Sequence, residues 1–363
     1  MSSLKKIGDR IKTIESTHQV TASMKVVAIS RLKKKHEAFL RTGKYAVEIF
    51  RMMRRLIRSA SYRQEQLTLQ GSSEILPLPP LLKGNGKDKR YVVVVITSDD
   101  GLSGSSTSVV VQKAEEVIKY LQEEDKKVIV FCFGTRGADI LKRNHPTMQI
   151  RSAKRKLHTG DDTYLDAERI AATLVEAFDH DQFDVCLFVY NEFHSIVSQK
   201  PTIEQVIPNK LFEKNNPWQF LIDTNDADYV TRDALGQKKY NIHQSSFLTA
   251  FGGADMLAPL GAIDKGILEQ STRAPDEYDY DLSDLELLEQ MLPQYMVFYI
   301  CRVLLETEVA DNAARLMAMD NATRNAEEML KGMQKLYRRT RQSKITTDLA
   351  EVVSAAMMNQ TDE

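Results

Sequence analysis

The sequence predicts an α/β fold. A long antiparallel coiled coil of the N- and C-terminal helices joins a Rossmann-like central α/β domain with a mainly parallel sheet. Three observations carry this. The stretch 4–61 holds no proline and only two glycines, Gly8 and Gly43. The stretch 294–358 holds no proline at all. Between them, short β-branched runs alternate with helical patterns, which implies parallel strands joined by right-handed crossovers.

The N-terminal helix is expected over residues 1–70. Leu4, Ile7, Ile11 and Ile14 recur at helical spacing and make one stripe. Val20, Met24 and Val27 continue a stripe after a phase shift, as a coiled-coil stutter does. At about 1.5 Å per residue the helix is roughly 85 Å long, so its stripe needs another long helix or a partner to cover it.

The central domain is expected over 71–208. It opens with an irregular connection carrying Pro77, Pro79, Pro80, Gly84 and Gly86. The β-branched run 92–96 reads as a strand buried on both faces, followed by a turn at 98–104. A helix over 106–124, a strand over 127–133, helices over 138–143 and 165–178, and a strand over 184–190 follow. Residues 209–275 fit this alternation poorly and read as an insertion or peripheral subdomain. The acidic run 276–281 reads as a solvated loop. Ser283 and Glu286 make a capping box for a short helix to Leu292, which Pro293 ends or kinks.

The C-terminal segment, 276–363, carries the strongest period in the chain. Met319, Ala322, Ala326, Met329, Met333, Leu336 and Thr340 alternate steps of three and four, a heptad seam. Ile345, Leu349, Val352 and Ala356 resume after a slip. This helix is expected to be roughly 95 Å long. Similar lengths and chain order predict that the terminal helices pair antiparallel, with both termini at the far tip.

Composition narrows the function. Lys+Arg number 49 against 50 Asp+Glu, which excludes a globally basic nucleic-acid binder. A hydrophobic share of 42% excludes wholesale disorder. Cys132, Cys186 and Cys301 sit in apolar surroundings without metal-ligand spacing, so they read as buried thiols in a reducing compartment. No segment reaches the roughly 18 apolar residues of a membrane span, and the N-terminus lacks the apolar core of a secretory signal. Membrane association is expected only through partners.

No self-contained active site appears. The segment 100–106 follows a strand but matches neither G-x-G-x-x-G nor G-x-x-x-x-G-K-[ST], and reads as a tight turn. None of the seven histidines is paired as H-x-x-x-H or with cysteine. No catalytic residue, cofactor or metal is expected. The basic clusters 31–36 and Arg338, Arg339 and Arg341 read as solvated helix faces, or as contacts to an acidic surface.

Thr21-Ala22-Ser23-Met24-Lys25-Val26-Val27-Ala28 and Ser30-Arg31-Leu32 resemble the N-terminal signature of the F-type ATP synthase gamma subunit family. Ala313-Ala314-Arg315-Leu316-Met317-Ala318-Met319-Asp320-Asn321-Ala322-Thr323 is similar to its second block. Arg341-Gln342-Ser343-Lys344-Ile345-Thr346, with Leu349-Ala350-Glu351-Val352-Val353-Ser354, is similar to its C-terminal block. In between, residues 97–104, 190–193 and 198–202 resemble further blocks. The resemblance implies a non-catalytic central rotor shaft that carries torque between a membrane c ring and a hexamer of alpha and beta subunits. The epsilon subunit would lie beside the α/β domain. It implies a place on the cytoplasmic face of a bacterial inner membrane, or an organellar equivalent, with no transit peptide seen. Met24, Lys25, Arg31, Arg315, Arg341, Gln342, Thr346 and Asp348 are then expected to serve coupling and partner contact. Asp348 stands where the family usually has Glu, and Thr347 where Gln is common. The insertion contains no cysteine, which excludes a thiol switch there, and a contact with epsilon or the hexamer rim is expected of it. A coiled-coil scaffold without an ATPase partner, and a nucleotide-binding enzyme with a helical arm, are the alternatives.

Overall fold

A computed structural model describes residues 3–69, 79–146, 148–153, 162–208, 231–232, 238–239 and 284–360. The chain divides into two compact units. One is Met1–Ser30 with Arg315–Glu363, and the other is Arg31–Ala314. Two helices, α1 (Ser3–Leu69) and the last helix, α6 (Asp284–Gln360), each contribute to both.

In the Arg31–Ala314 unit, α2 (Pro80–Lys83) leads into β1 (Arg90–Ile96), α3 (Ser106–Glu123), β2 (Lys127–Phe133), α4 (Thr135–Asn144), β3 (Ile150–Ala153), α5 (Asp162–Asp179), β4 (Val185–Phe193) and β5 (Gln199–Ile207). The sheet order is β3-β2-β1-β4-β5. The first four strands run parallel, and β5 pairs antiparallel with β4. The mainly parallel Rossmann-like sheet is therefore as expected. Strands β3 and β5 are additions: β3 is short and mostly polar, and β5 carries Pro201, so neither shows the apolar run of a central strand. Of the expected insertion, only β6 (Thr231–Arg232) and β7 (Lys238–Lys239), a short antiparallel pair, are described. Its other residues, the acidic run and Ser283 lie outside the described residues.

β1 explains the layering. Val93 and Val95 point to α3 and α4 and meet Val110, Ala114, Val117, Ile118, Ala138 and Leu141 in one buried cluster. Val92 and Val94 point the other way, toward Ile170 and Leu174 of α5. A strand covered on both faces must be apolar throughout, as the run 91–96 is. The turn after β1 is structural. Asp99 accepts the Thr135 N–H at 2.6 Å and so caps α4. Gly134 has φ 117°, and a Cβ there would lie 2.2 Å from the Thr97 carbonyl oxygen, so only glycine fits.

Pro293 does not end the last helix; α6 passes through it. Proline withholds one donor from the carbonyl of Glu289, but Glu289 is exposed and water can serve it. Leu288 and Leu292, both fully buried, anchor the turns before the proline. Along this unit α1 and α6 run antiparallel. Lys35 pairs with Glu308 at 2.7 Å, and Tyr45 stacks on Phe298.

In the other unit, the α1 seam is Leu4, Ile7, Ile11, Ile14, His18, Thr21, Lys25 and Ala28, with no stutter. Val20, Met24 and Val27, expected to carry it, lie exposed. On α6 the seam is Leu316, Met319, Thr323, Ala326, Leu330, Met333, Tyr337 and Thr340. Met329 and Leu336, expected in the seam, are exposed, and their C-terminal neighbours take their places. Both errors have one cause: polar residues occupy seam positions and pair across it. Thr323 donates to Thr21 at 3.1 Å, and Lys25 meets Asp320 at 2.6 Å. These contacts fix an antiparallel register that brings Leu4 level with Thr340. The two termini therefore do not meet. Residues 341–353 of α6 continue past α1 and are exposed on every side.

The loop before β1 is bolted to the start of the neighbouring strand β4 by Asp184. Its carboxylate accepts the Lys89 and Arg90 N–H groups at 3.0 and 2.9 Å, Asn85 Nδ2 at 2.8 Å and Arg90 Nη2 at 2.7 Å. Burial works to raise its pKa, but these donors outweigh burial and hold the carboxyl well below the ordinary range. A depressed pKa gives stability that is present above the unfolded value and is lost as pH falls through the folded one. Asp184→Ala, which strands these donors, is expected to cost about 3 kcal/mol in chemical denaturation at pH 7. The deficit relative to the parent chain should shrink below about pH 4.

Candidate functional site: a sheet–helix joint and an outward apolar surface

In a sheet of this order the strand connections diverge between β1 and β4, and the crevice at their carboxyl ends is where such folds bind ligands. Here the chain fills it. Asn191, at the end of β4, donates to the Ser106 carbonyl and hydroxyl oxygens at 3.1 and 2.8 Å. The Ser106 hydroxyl, opening α3, donates to Asp311 of α6 at 2.9 Å. One turn and more upstream, Glu306 Oε1 accepts the Phe193 N–H at 3.4 Å. Arg302 reaches Glu204 of β5 at 3.4 Å and Glu306 at 3.8 Å, and Tyr299 donates its hydroxyl to Glu204. The polar side chains of one helix thus occupy the position a ligand would take.

Electrostatics follow burial. Burial pushes Glu306 up to about 8; Arg302 opposes this, and Glu192 and Glu204 reinforce it. Burial alone would lower Arg302, but the ring of Tyr190, Glu204, Glu306 and Tyr299 holds it well above its ordinary value. Burial also raises the Cys132 and Cys301 thiols, to about 12 and about 11, so neither is a reactive thiolate at neutral pH. Among the described residues no group of His, Cys, Asp or Glu could hold a metal ion.

The residues expected from sequence fall into three settings. Lys25 lies in the seam on Asp320, which also takes Arg324 at 2.8 Å. Arg31, exposed, pairs with Asp100 at 3.3 Å, and Arg315 is half-buried. Met24 faces outward, and Arg341, Gln342, Thr346 and Asp348 are exposed on the unpaired part of α6, where Thr346 only donates back to the Gln342 carbonyl. The outward face carries more apolar side chains than its sequence period suggested. Val26 is 65% exposed and Val352 68%, and Val20, Val27, Met329, Leu336, Ile345, Leu349 and Val353 join them. Such a patch on a helical surface marks a partner contact. The joint residues Ser106, Asn191, Arg302, Glu306 and Asp311 were missed. Their signal was the run 306–312, where four acidic or amide side chains interrupt an otherwise apolar helix.

Comparison with known proteins agrees with this geometry. A family described as ATP synthase matches residues 3–357. The chain is 31% identical to the ATP synthase gamma chain of Rhodospirillum rubrum over 356 residues, covering 98% of this chain and 99% of that one. It is 32% identical to the ATP synthase gamma chain of Maricaulis maris over 358 residues, with the same coverage. A chain in the rotor of the Euglena gracilis mitochondrial ATP synthase shares the fold at TM-score 0.50 and 15% identity, covering 94% of this chain and 99% of that one. A chain in the OSCP/F1/c-ring structure of that assembly reaches TM-score 0.52 at 15% identity, covering 98% and 94%.

The seam ion pair is testable by a double-mutant cycle. Lys25 and Asp320 have side chains 25% and 17% exposed, so removing one partner leaves a half-buried charge. Lys25→Glu alone should destabilise the chain by about 1–2 kcal/mol, and Lys25→Glu with Asp320→Lys should recover most of that. Chemical denaturation of the full chain reads both.

Proposed function

The chain belongs to the ATP synthase gamma chain family, and from that membership we propose that it is the central rotor subunit of an F-type ATP synthase. It carries torque between a membrane c ring and a hexamer of alpha and beta subunits, with the epsilon subunit beside its α/β unit. On this reading it is a subunit without bond-making chemistry of its own, and the crevice where such a fold binds a ligand, filled by α6, supports that. No described helix is long and apolar enough to cross a membrane. The chain's attachment through the c ring would be peripheral, at the cytoplasmic face of a bacterial inner membrane or an organellar counterpart.

The observation that carries this is the outward apolar surface of the helix pair. The seam already has its own apolar residues and the polar pairs Lys25–Asp320 and Thr21–Thr323, yet further valines, methionines and leucines point to solvent. An enclosing partner is what would bury them. The surface is also asymmetric: α1 offers Val20, Met24, Val26 and Val27, whereas the unpaired stretch of α6 offers Ile345, Leu349 and Val352 with Arg341, Gln342, Thr346 and Asp348. Turning such a body inside a ring of like subunits gives each a different contact energy. Differential contact energy is what shifts a conformational equilibrium.

Co-purification with alpha and beta subunits is the primary test; a chain recovered without them would leave the scaffold reading standing. Within the complex, Val352→Asp should weaken hexamer binding by about tenfold or more, since it removes a buried apolar side chain and introduces a charge. The helix content of the free chain should not change, because Val352 is largely exposed in it.

A further inference from the structure

The joint between α6 and the sheet holds more negative groups than positive ones. On α6, Glu306 has one oxygen on the Phe193 N–H and the other 3.8 Å from Arg302 Nη1. The same guanidinium serves Glu204 of β5, whose carboxylate also takes the Tyr299 hydroxyl. From β4 comes Glu192, which accepts the Thr202 hydroxyl at 3.0 Å and faces His194 Nε2 at 3.5 Å; Tyr190 lies buried on the same strand. From α1 come Lys35, engaged by Glu308, and His36, whose ring packs edge-on against Phe193. Glu306 and Glu204 thus share one guanidinium, while Glu192 has the His194 imidazole and lies opposite Lys200 of β5. Like charges so close cannot all ionise cheaply in a site short of cations. Glu192 and Glu204 have side chains 36% and 29% exposed and can use water, whereas that of Glu306 is 5% exposed.

We propose that Glu306 is a positioning residue of this joint, protonated at neutral pH, and that loss of its proton in mildly alkaline solution loosens the seat of α6 on β4 and β5. Desolvation raises the Glu306 pKa well into that range, and the two neighbouring glutamates add to it. The folded value lies above the unfolded one, so seating α6 takes up a proton. The opening equilibrium therefore rises with pH from the ordinary carboxyl range up to about 8 and levels off beyond it. His36 does not reproduce this profile: burial lowers its pKa, and a lowered imidazole pKa makes opening fall rather than rise with pH.

The mechanical consequence rests on the rotor reading, because a joint that loosens with pH would pass less torque. The proton itself is tested apart from that. In the chain assembled with its alpha and beta subunits, hydrogen exchange of the backbone amides in 193–207 and 299–311 is followed against pH and corrected for intrinsic exchange. Opening should increase about tenfold per pH unit between about pH 6 and 7.5 and flatten above about pH 8.5, while Glu306→Gln should show no slope. A flat parent profile, or the same slope in both, overturns the proposal. Should the glutamine variant not assemble, infrared spectroscopy of the parent complex decides: a buried protonated-carboxyl band at neutral pH that vanishes by about pH 9.5 supports it, and its absence at neutral pH overturns it. Failure of the parent chain to assemble counts against the rotor reading instead, so the two failures are distinguishable.

Discussion

The structure turns on a polar helix face seated in a sheet crevice. The Ser106 hydroxyl, which Asn191 also holds, and the Phe193 N–H are buried, and their partners on α6 are Asp311 and Glu306. Withdrawing α6 would strand each of them, at a cost of about 1–3 kcal/mol per unsatisfied group. The helix is therefore held by directed bonds as well as by apolar contact, and directed bonds resist twisting as well as separation. Lys35 with Glu308 and Tyr45 with Phe298 extend the hold to α1. A helix pair keyed in this way turns with its sheet.

The helix pair of residues 3–30 with 315–360 follows the opposite logic. Its seam is apolar at Leu4, Ile7, Ile11, Ile14, Leu316, Met319, Leu330 and Met333 but also admits Thr21, Lys25 and Thr323, and its outer surface carries further apolar side chains. Ordinary coiled coils place apolar residues inside because nothing else covers them. Here apolar residues lie on the outer surface as well, so the pair has a surface that gains by being enclosed. Past Thr340 even the seam is lost, and α6 continues with residues exposed on all sides. The stability missing within the chain is the stability a surrounding partner would provide.

These apolar residues on the outer surface bear on how much the sequence disclosed. The sheet was legible because β1, β2 and β4 are apolar runs and the helices between them are amphipathic. β3 and β5 were not, since edge strands bury less and read as loops. The existence of both long helices was legible from missing proline, but their facing was not. Periodicity finds apolar residues and assigns them to the inside; here Val20, Met24, Val27, Met329 and Leu336 point out. The charge complement of Lys25 and Asp320 was the available clue, and it requires knowing the register between segments far apart in sequence. The joint was hidden for a related reason: Glu306 and Asp311 read as solvated until the strand ends that bury them are in place.

The two halves suit different demands on one helix. At the sheet, α6 must transmit rotation, and burying paired polar groups gives stiffness and a unique orientation. Farther along, it must slide past successive partners without stopping at one. Apolar contacts have no preferred angle and are lost and regained in small increments, whereas a buried ion pair with a partner would create a deep stop at one orientation. Charged groups on that surface, such as Arg341 and Asp348, are exposed in the free chain and engage no strong polar partner there among the described residues. Satisfying the strong polar interactions inside the chain, and leaving weak apolar ones outside it, is the division a turning helix requires.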